Sequence, residues 1–187
     1  MDTFNIIKNI KLQLLNNIND PHIEQILKIR NENEIRNNML NNSIITLNDH
    51  KKWFKDQIIR KKKKFFKILF LESLIGIITI NFHDDNFNSW AFYLSSKSKK
   101  GLGALVEYLF LNKYFFELGY KELNCEVLSF NTSVLKMHKK FGFREFDKKF
   151  KVLKRFNKEQ DLILLKIDSD IWKLNRDIIK NKLRLSI

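Results

Sequence analysis

The run Lys97-Ser98-Lys99-Lys100-Gly101-Leu102-Gly103 lies between an aromatic segment at about Ser89–Leu94 and an apolar stretch from Leu102 to Leu118 that Gly119 closes. The first segment reads as a strand and the second as a helix with a glycine cap. Strand, glycine loop and helix together make an anion-binding order. The first turn of a helix offers unpaired N–H groups, and glycines without Cβ atoms let a pyrophosphate come close to them. Lys97, Lys99 and Lys100 add positive charge at the same place. Two nearby glycines taken alone also fit close helix–strand packing. There is no third glycine as in a dinucleotide fingerprint, and no Gly-Lys-Ser/Thr as in a Walker loop.

Outward from this run, the remaining elements alternate. Downstream, Leu123–Phe130 reads as a strand, Asn131 to Phe141 as a short helix capped by Gly142, and Phe143–Phe156 with Asp161–Ile167 as a pair of strands. Asp168-Ser169-Asp170 then caps a last helix, with Ile171, Trp172, Ile178, Ile179 and Leu183 as its apolar face. Upstream, Phe65–Leu71 and Leu74–Phe82 form a hairpin about Glu72-Ser73, and His83-Asp84-Asp85-Asn86 makes a polar turn. Ile6 to Leu15 is apolar enough for a first strand, and Asp20-Pro21 opens a helix to about Arg30. Thr46 with Asp49 resembles a capping box that opens a second helix, its apolar face including Leu47, Trp53, Phe54 and Ile58. The run Arg60-Lys61-Lys62-Lys63-Lys64 ends that helix. No internal repeat or linker interrupts the chain.

The composition excludes a disordered polyelectrolyte: 44% of the 187 residues are hydrophobic and 13% aromatic, enough to bury a core in one domain. Cys125 is the single cysteine, so no intramolecular disulfide forms, and no Cys/His grouping has zinc-site spacing. No metal is expected. Without a secretory pattern or an apolar run of about 20 residues, the expectation is a cytoplasmic protein with no membrane partner. The formal charge of +14 favours anionic ligands, but only seven of the 35 basic residues are arginine. A Lys/Asn/Ile-rich composition of this kind also follows from an AT-rich coding sequence. The lysine run therefore reads as a solvated turn, and nucleic acid is not expected as a partner.

About thirty residues after the glycines comes Asn131-Thr132-Ser133-Val134-Leu135-Lys136-Met137-His138-Lys139-Lys140-Phe141-Gly142-Phe143. With it, the sequence resembles the Gcn5-related N-acetyltransferases. Their cofactor loop reads Gln/Arg-x-x-Gly-x-Gly/Ala, and their later motif reads Asn-x-x-Ala-x-x-x-Tyr-x-x-x-Gly-Phe. The resemblance implies an α/β (α+β) fold whose mixed, mostly antiparallel twisted sheet has about seven strands, splayed at the cofactor site and flanked by helices. The last helix is an addition. It implies acetyl-CoA as co-substrate, with Lys99, Lys100, Gly101, Leu102, Gly103 and Ala104 around the pyrophosphate. Leu94 and Ser95 would offer main chain to pantetheine, and Asn131 would lie beside the cofactor.

Three positions depart from the pattern: Ser98 replaces Gln or Arg, Val134 replaces Ala, and His138 replaces the Tyr that the family commonly uses to protonate the departing thiolate. An imidazolium near pKa 6.5 is a stronger acid than a thiol near pKa 8.5, so His138 is suited to that step if its site keeps it charged. The alternative is a histidine packed beside Met137 and Phe141. Glu126 alternates with Cys125 and Val127, so it faces the other side of the sheet, either as the base for the acceptor amine or as a solvent-facing carboxylate. Cys125 reads as a small core residue, since direct transfer needs no acyl-enzyme.

The pattern Arg30-Asn31…Ile35-Arg36-x-x-Met39…His50-x-x-Trp53-Phe54 resembles the subgroup that N-acetylates a UDP-linked 4-amino-4,6-dideoxy sugar in pseudaminic acid biosynthesis. Ser129-Phe130-Asn131 resembles it too, and the likeness spans roughly residues 22 to 167. It implies a UDP-amino sugar partner and admits a homodimer. Arg30 and Arg36 suit a diphosphate, Met39, Trp53 and Tyr93 a uracil or the apolar face of a deoxysugar, and His50 a sugar hydroxyl, with Asn31 among them. Trp53 also fits as a core residue and Arg30 as a helix C-terminal charge. Rival readings are a ribosomal-protein-type N-terminal acetyltransferase and, far behind, a basic nucleic-acid-binding module.

Overall fold

The computed structural model describes residues 3–83 and 87–185. Its framework is a seven-stranded sheet in the order β1-β2-β3-β4-β5-β7-β6. These strands are β1 (Ile10–Leu15), β2 (Lys63–Phe70), β3 (Ser73–Asn81), β4 (Ser89–Leu94), β5 (Glu122–Leu128), β6 (Arg144–Arg155) and β7 (Lys158–Asp168). Every neighbouring pair is antiparallel except β4 and β5, which run parallel and share one registered pair, Ser89 with Asn124. Beyond that rung the two strands diverge. Among the described residues seven α-helices flank the sheet: α1 (Thr3–Lys8), α2 (Ile23–Arg30), α3 (Asn33–Asn37), α4 (Leu47–Arg60), α5 (Leu102–Asn112), α6 (Thr132–Phe141) and α7 (Ser169–Lys182). The mixed sheet, its split and its helical cover agree with the expected fold.

Alternation along the strands divides the core. Ile78 and Ile80 of β3, Trp90 of β4, and Leu123, Cys125 and Val127 of β5 face a large apolar cluster with α1, α5, α6 and α7. Phe65, Leu69, Leu74 and Ile77 face a second cluster built with Ile23, Ile26 and Ile29 of α2 and Phe54 of α4. Phe54 stacks on Phe65 with ring centroids 4.4 Å apart. Thr46 caps α4, its Oγ1 accepting from the Asp49 amide and donating to the Asp49 carboxylate.

Several boundaries differ from the sequence reading. The first apolar run, expected as one strand, is helix α1 followed by β1. Asn9 closes the helix with its amide on Ile6 O and its side chain on Asn5 O, leaving Ile6 and Ile10 both in the core. An apolar run without alternation does not separate the two states. Asp20 does not cap α2 directly: its Oδ1 accepts from the His22 amide and its Oδ2 from the buried Lys67 Nζ at 2.7 Å. The β2–β3 turn sits at Leu71-Glu72, both at positive φ as in a type I′ hairpin. Phe156-Asn157 makes the same turn between β6 and β7, so β7 starts three residues before expected. The expected turn at 83–86 falls partly outside the described residues. Helix α5 passes into a π-helical turn at Lys113–Glu117 before Gly119 at φ +74°.

Helix α7 packs on its own chain. Asp168 caps it by accepting from the amides of Asp170 and Ile171, and Trp172 is fully buried, stacked on Phe141 and donating to Asn112 Oδ1. Ile178, expected on the apolar face, is exposed. Gly142, at φ +106°, leaves the space that Asn175 and Ile171 of α7 fill, because a Cβ there would meet Asn175 Nδ2 at 2.3 Å.

Candidate active site

The divergence of β4 and β5 opens a cavity of about 600 Å³. The main-chain rungs decide what faces it. The Ser95 amide donates to Ile75 O at 2.7 Å and the Ser95 carbonyl accepts from the Ser98 amide at 2.9 Å, so both its peptide groups are taken. Antiparallel hydrogen bonds alternate along a strand. Tyr93 and Ala91 therefore turn their peptide groups toward β3, and Leu94 and Phe92 turn theirs toward the gap. The main-chain role expected of Ser95 does not fit this register; Leu94 fits it, with Phe92 as its companion. Gly76 makes the arrangement possible, since a Cβ there would lie 2.2 Å from Tyr93 O.

At one end of the gap, Gly101 takes φ +90° at the N-cap of α5, with open space where a Cβ would stand. A Cβ on Gly103 would meet only Met137 Sδ at 3.8 Å. The first-turn amides of Gly103 and Ala104 thus start beside an unobstructed loop, while that of Leu102 donates to Lys99 O at 3.4 Å. Ser98 Oγ is buried there without a hydrogen-bond partner among the described residues. Lys99 and Lys100 are exposed and line a second cleft of about 390 Å³ with Lys182 and Arg184 from the end of α7.

On the α5–α6 side, His138 lines the cavity and is itself buried. Its Nδ1 lies 2.7 Å from Oε1 of Glu107, a fully buried carboxylate in the middle of α5. Burial disfavours charge on the imidazole, but the Glu107 carboxylate and the neighbouring Cys125 outweigh it and hold the His138 pKa well above the ordinary histidine value. Burial also raises the Glu107 pKa, against the pull of His138. Trp90 meets the His138 ring edge-on and Phe143 packs beside it. Across the sheet, Glu126 lines the cavity at its exposed rim and accepts from Lys149 Nζ at 3.1 Å. Asn131 lines the cavity at the start of α6.

The N-terminal candidates separate into two groups. Met39 and Tyr93 line the cavity with Ile35, Asn38 and Leu40. The other five do not. Arg30 donates from Nη2 to Asn41 O, and Arg36 donates to Asn31 O, Asn42 O and Asn33 Oδ1. Asn31 brackets Ile45 through both of its main-chain groups. These donors hold the segment between α3 and α4 by carbonyls of the chain itself, while among the described residues Arg30 Nη1 is buried without a hydrogen-bond partner. His50 is buried, its pKa lowered by burial and by Arg30, and Trp53 stacks near it on the outer side of α4.

Sequence reasoning missed three further contributors. Glu107 is the lone acid in the apolar run Leu102–Leu111, which was a legible signal. Arg155, at the end of β6, donates to Met39 O and Leu40 O. Glu32 accepts from Ser95 Oγ and the Ser96 amide, tying the start of α3 to the end of β4.

The split sheet, the glycine-led helix and the cavity between them are the framework of the acetyltransferase (GNAT) fold. Residues 15–164 match the model of the acetyltransferase (GNAT) domain, and the chain belongs to that family. A prophage-derived uncharacterized N-acetyltransferase, YokL of Bacillus subtilis, is 25% identical over 51% of this chain and 56% of its own, so this match spans only about half of that relative. The acetyltransferase PseH of Campylobacter jejuni is 28% identical over 74% of this chain and 87% of its own. Among solved structures, the spermidine N-acetyltransferase of Vibrio cholerae, in complex with CoA and spermine, superposes with a TM-score of 0.79. That likeness covers 89% of this chain and 99% of the other at 14% identity, and shows the fold. Among the described residues no helix is long and apolar enough to cross a membrane and no group of side chains could hold a metal ion.

Proposed function

We propose that this chain, read as one transferase domain, moves the acetyl group of acetyl-CoA directly to the 4-amino group of a UDP-linked 4-amino-4,6-dideoxy sugar. The observation that carries the cofactor half is the missing rungs between β4 and β5. The unpaired peptide groups of Phe92 and Leu94 suit the amides of a pantetheine arm, and the first turn of α5 with Ser98, Lys99 and Lys100 suits the pyrophosphate. Held against β4, the thioester carbonyl lies open to an amine arriving from the side of Met39 and Tyr93.

The acceptor half rests on the sequence resemblance, on the likeness to PseH, and on the lining of the cavity. Among the described lining residues Glu126 is the sole carboxylate, and Lys149 already pairs with it. A polycation would find little to bind, whereas an anionic nucleotide sugar suits a chain of charge +14. Met39, Leu40 and Tyr93 offer apolar and aromatic surface to a deoxysugar methyl group or to uracil.

In the transfer, the neutral amine attacks the thioester carbon and the C–S bond breaks. The amine proton leaves through Glu126 or water, and the thiolate takes a proton from His138. The test is release of free thiol from acetyl-CoA with a UDP-4-amino-4,6-dideoxy sugar, set against peptide N-termini and spermidine. Faster turnover of a peptide or a polyamine overturns the acceptor assignment.

A further inference from the structure

We propose that Glu107 is a positioning residue that fixes the ring of His138 and keeps its proton in place for the thiolate. This rests on the acid role given to His138 above. The two side chains come from different helices and meet at 2.7 Å inside the core, with Glu107 fully buried and His138 nearly so. A carboxylate placed between Val106 and Tyr108, both themselves buried, has a large desolvation cost unless a cation answers it. His138 is the partner that α6 supplies. Its Nδ1 faces Glu107 Oε1, so the proton available to the cavity is the one on Nε2.

Glu107 also meets the difficulty that histidine raises at this position, namely that an ordinary imidazole is mostly neutral at pH 7. Glu107 on α5 and Cys125 on β5 are the titratable groups that face the ring, and the groups that β4 and the end of α6 place against it, Trp90 and Phe143, carry no charge. Both titratable partners favour the protonated ring. During transfer, Nε2–H gives its proton to sulfur, the neutral ring keeps Nδ1–H on Glu107, and water restores the Nε2 proton once CoA has left. Glu107 never touches the substrate. Among the described residues its second oxygen, Oε2, is buried without a hydrogen-bond partner, so His138 at Oε1 is the group that answers the carboxylate.

The test uses the full chain. NMR titration of the four histidines, with His138 assigned through His138→Gln, should place the His138 pKa above the ordinary value, and Glu107→Gln should lower it by about one unit or more. In the same variant kcat should fall roughly tenfold or more, the alkaline limb of its pH profile should move down, and the KM for acetyl-CoA should hold within about twofold. In the His138→Tyr background the Glu107→Gln change should lose most of its effect on kcat. A wild-type His138 pKa at or below about 6.5 overturns the proposal, even if Glu107→Gln fails to fold. So does an equal loss of kcat with His138 or Tyr at 138. If no amine consumes acetyl-CoA the acetyl-transfer reading fails instead, and the titration, which needs no substrate, still decides whether Glu107 holds the His138 proton.

Discussion

Arg155 reaches from the end of β6 to the segment after α3, its Nη2 donating to Met39 O at 3.0 Å and to Leu40 O at 3.4 Å. The wall of the cavity that Met39 and Leu40 build is therefore held from outside by a strand distant in sequence. Arg155→Ala should raise the KM for the acceptor several-fold and leave that for acetyl-CoA unchanged, a split that initial-rate kinetics with each substrate varied will show. Equal changes in both constants would mean that Arg155 acts on the fold as a whole.

Arg30 makes the opposite case. Its hydrogen bond goes to Asn41 O from a buried position and it does not line the cavity. Arg30→Ala should cost about 1–3 kcal/mol of stability, the worth of a buried charge-assisted contact, with a lower thermal midpoint as the readout. Its acceptor KM, per folded molecule, should change less than that of Arg155→Ala.

Gly76 and Gly103 separate folding from binding. At Gly76 an added Cβ would press on the main chain of β4, so Gly76→Ala should destabilise by roughly 1–3 kcal/mol in urea unfolding, as overpacking does. At Gly103 there is room in the fold, so Gly103→Val should leave the thermal midpoint nearly unchanged while weakening acetyl-CoA binding at least tenfold by calorimetry. Unaltered affinity would remove the α5 N-terminus from the cofactor site.

His138→Ala should lower kcat by roughly 10²–10⁴-fold, the usual worth of a general acid, with His138→Tyr recovering part of the rate. A kcat per folded molecule within about threefold of wild type would take His138 out of the mechanism.

Stability should depend on pH through the same pair. The His138 pKa is raised on folding, and so is that of Glu107, so the folded chain binds more protons than the unfolded one. The stabilisation from His138 is complete below its unfolded pKa of about 6.5 and is lost as pH rises toward the folded value. Urea midpoints should therefore fall as pH rises from about 6.5 toward about 10, and His138→Gln should flatten the fall.

How far the sequence carried the reading follows from how local each signal is. The caps at Thr46, Asp168, Gly119 and Gly142 are written within four residues or fewer, and each lies within two residues of the helix end it was expected to mark. Ile6–Leu15 failed as a strand because its isoleucines suit either a helix or a strand, and packing on the sheet chose between them. Arg30, Asn31 and Arg36 show the limit for the site: side chains that suit a diphosphate suit a loop carbonyl equally well, and only the path of residues 38–46 separates the two. The Glu107–His138 pair joins residues 31 apart on different helices, beyond any local pattern.

The single rung between Ser89 and Asn124 divides the sheet into two leaves, β1 to β4 and β5 to β7, each stitched internally by antiparallel pairs of neighbours in space. A molecule lying in the gap supplies the rungs that the chain leaves out, and so acts as an eighth strand made of something other than protein. Its affinity adds to the cohesion of the leaves as well as to occupancy of the site, since binding to the folded form alone stabilises by RT ln(1 + [L]/Kd). The empty protein is then the one whose leaves part more readily, and hydrogen exchange along β4 and β5 should slow more on ligand binding than exchange in β2 and β3.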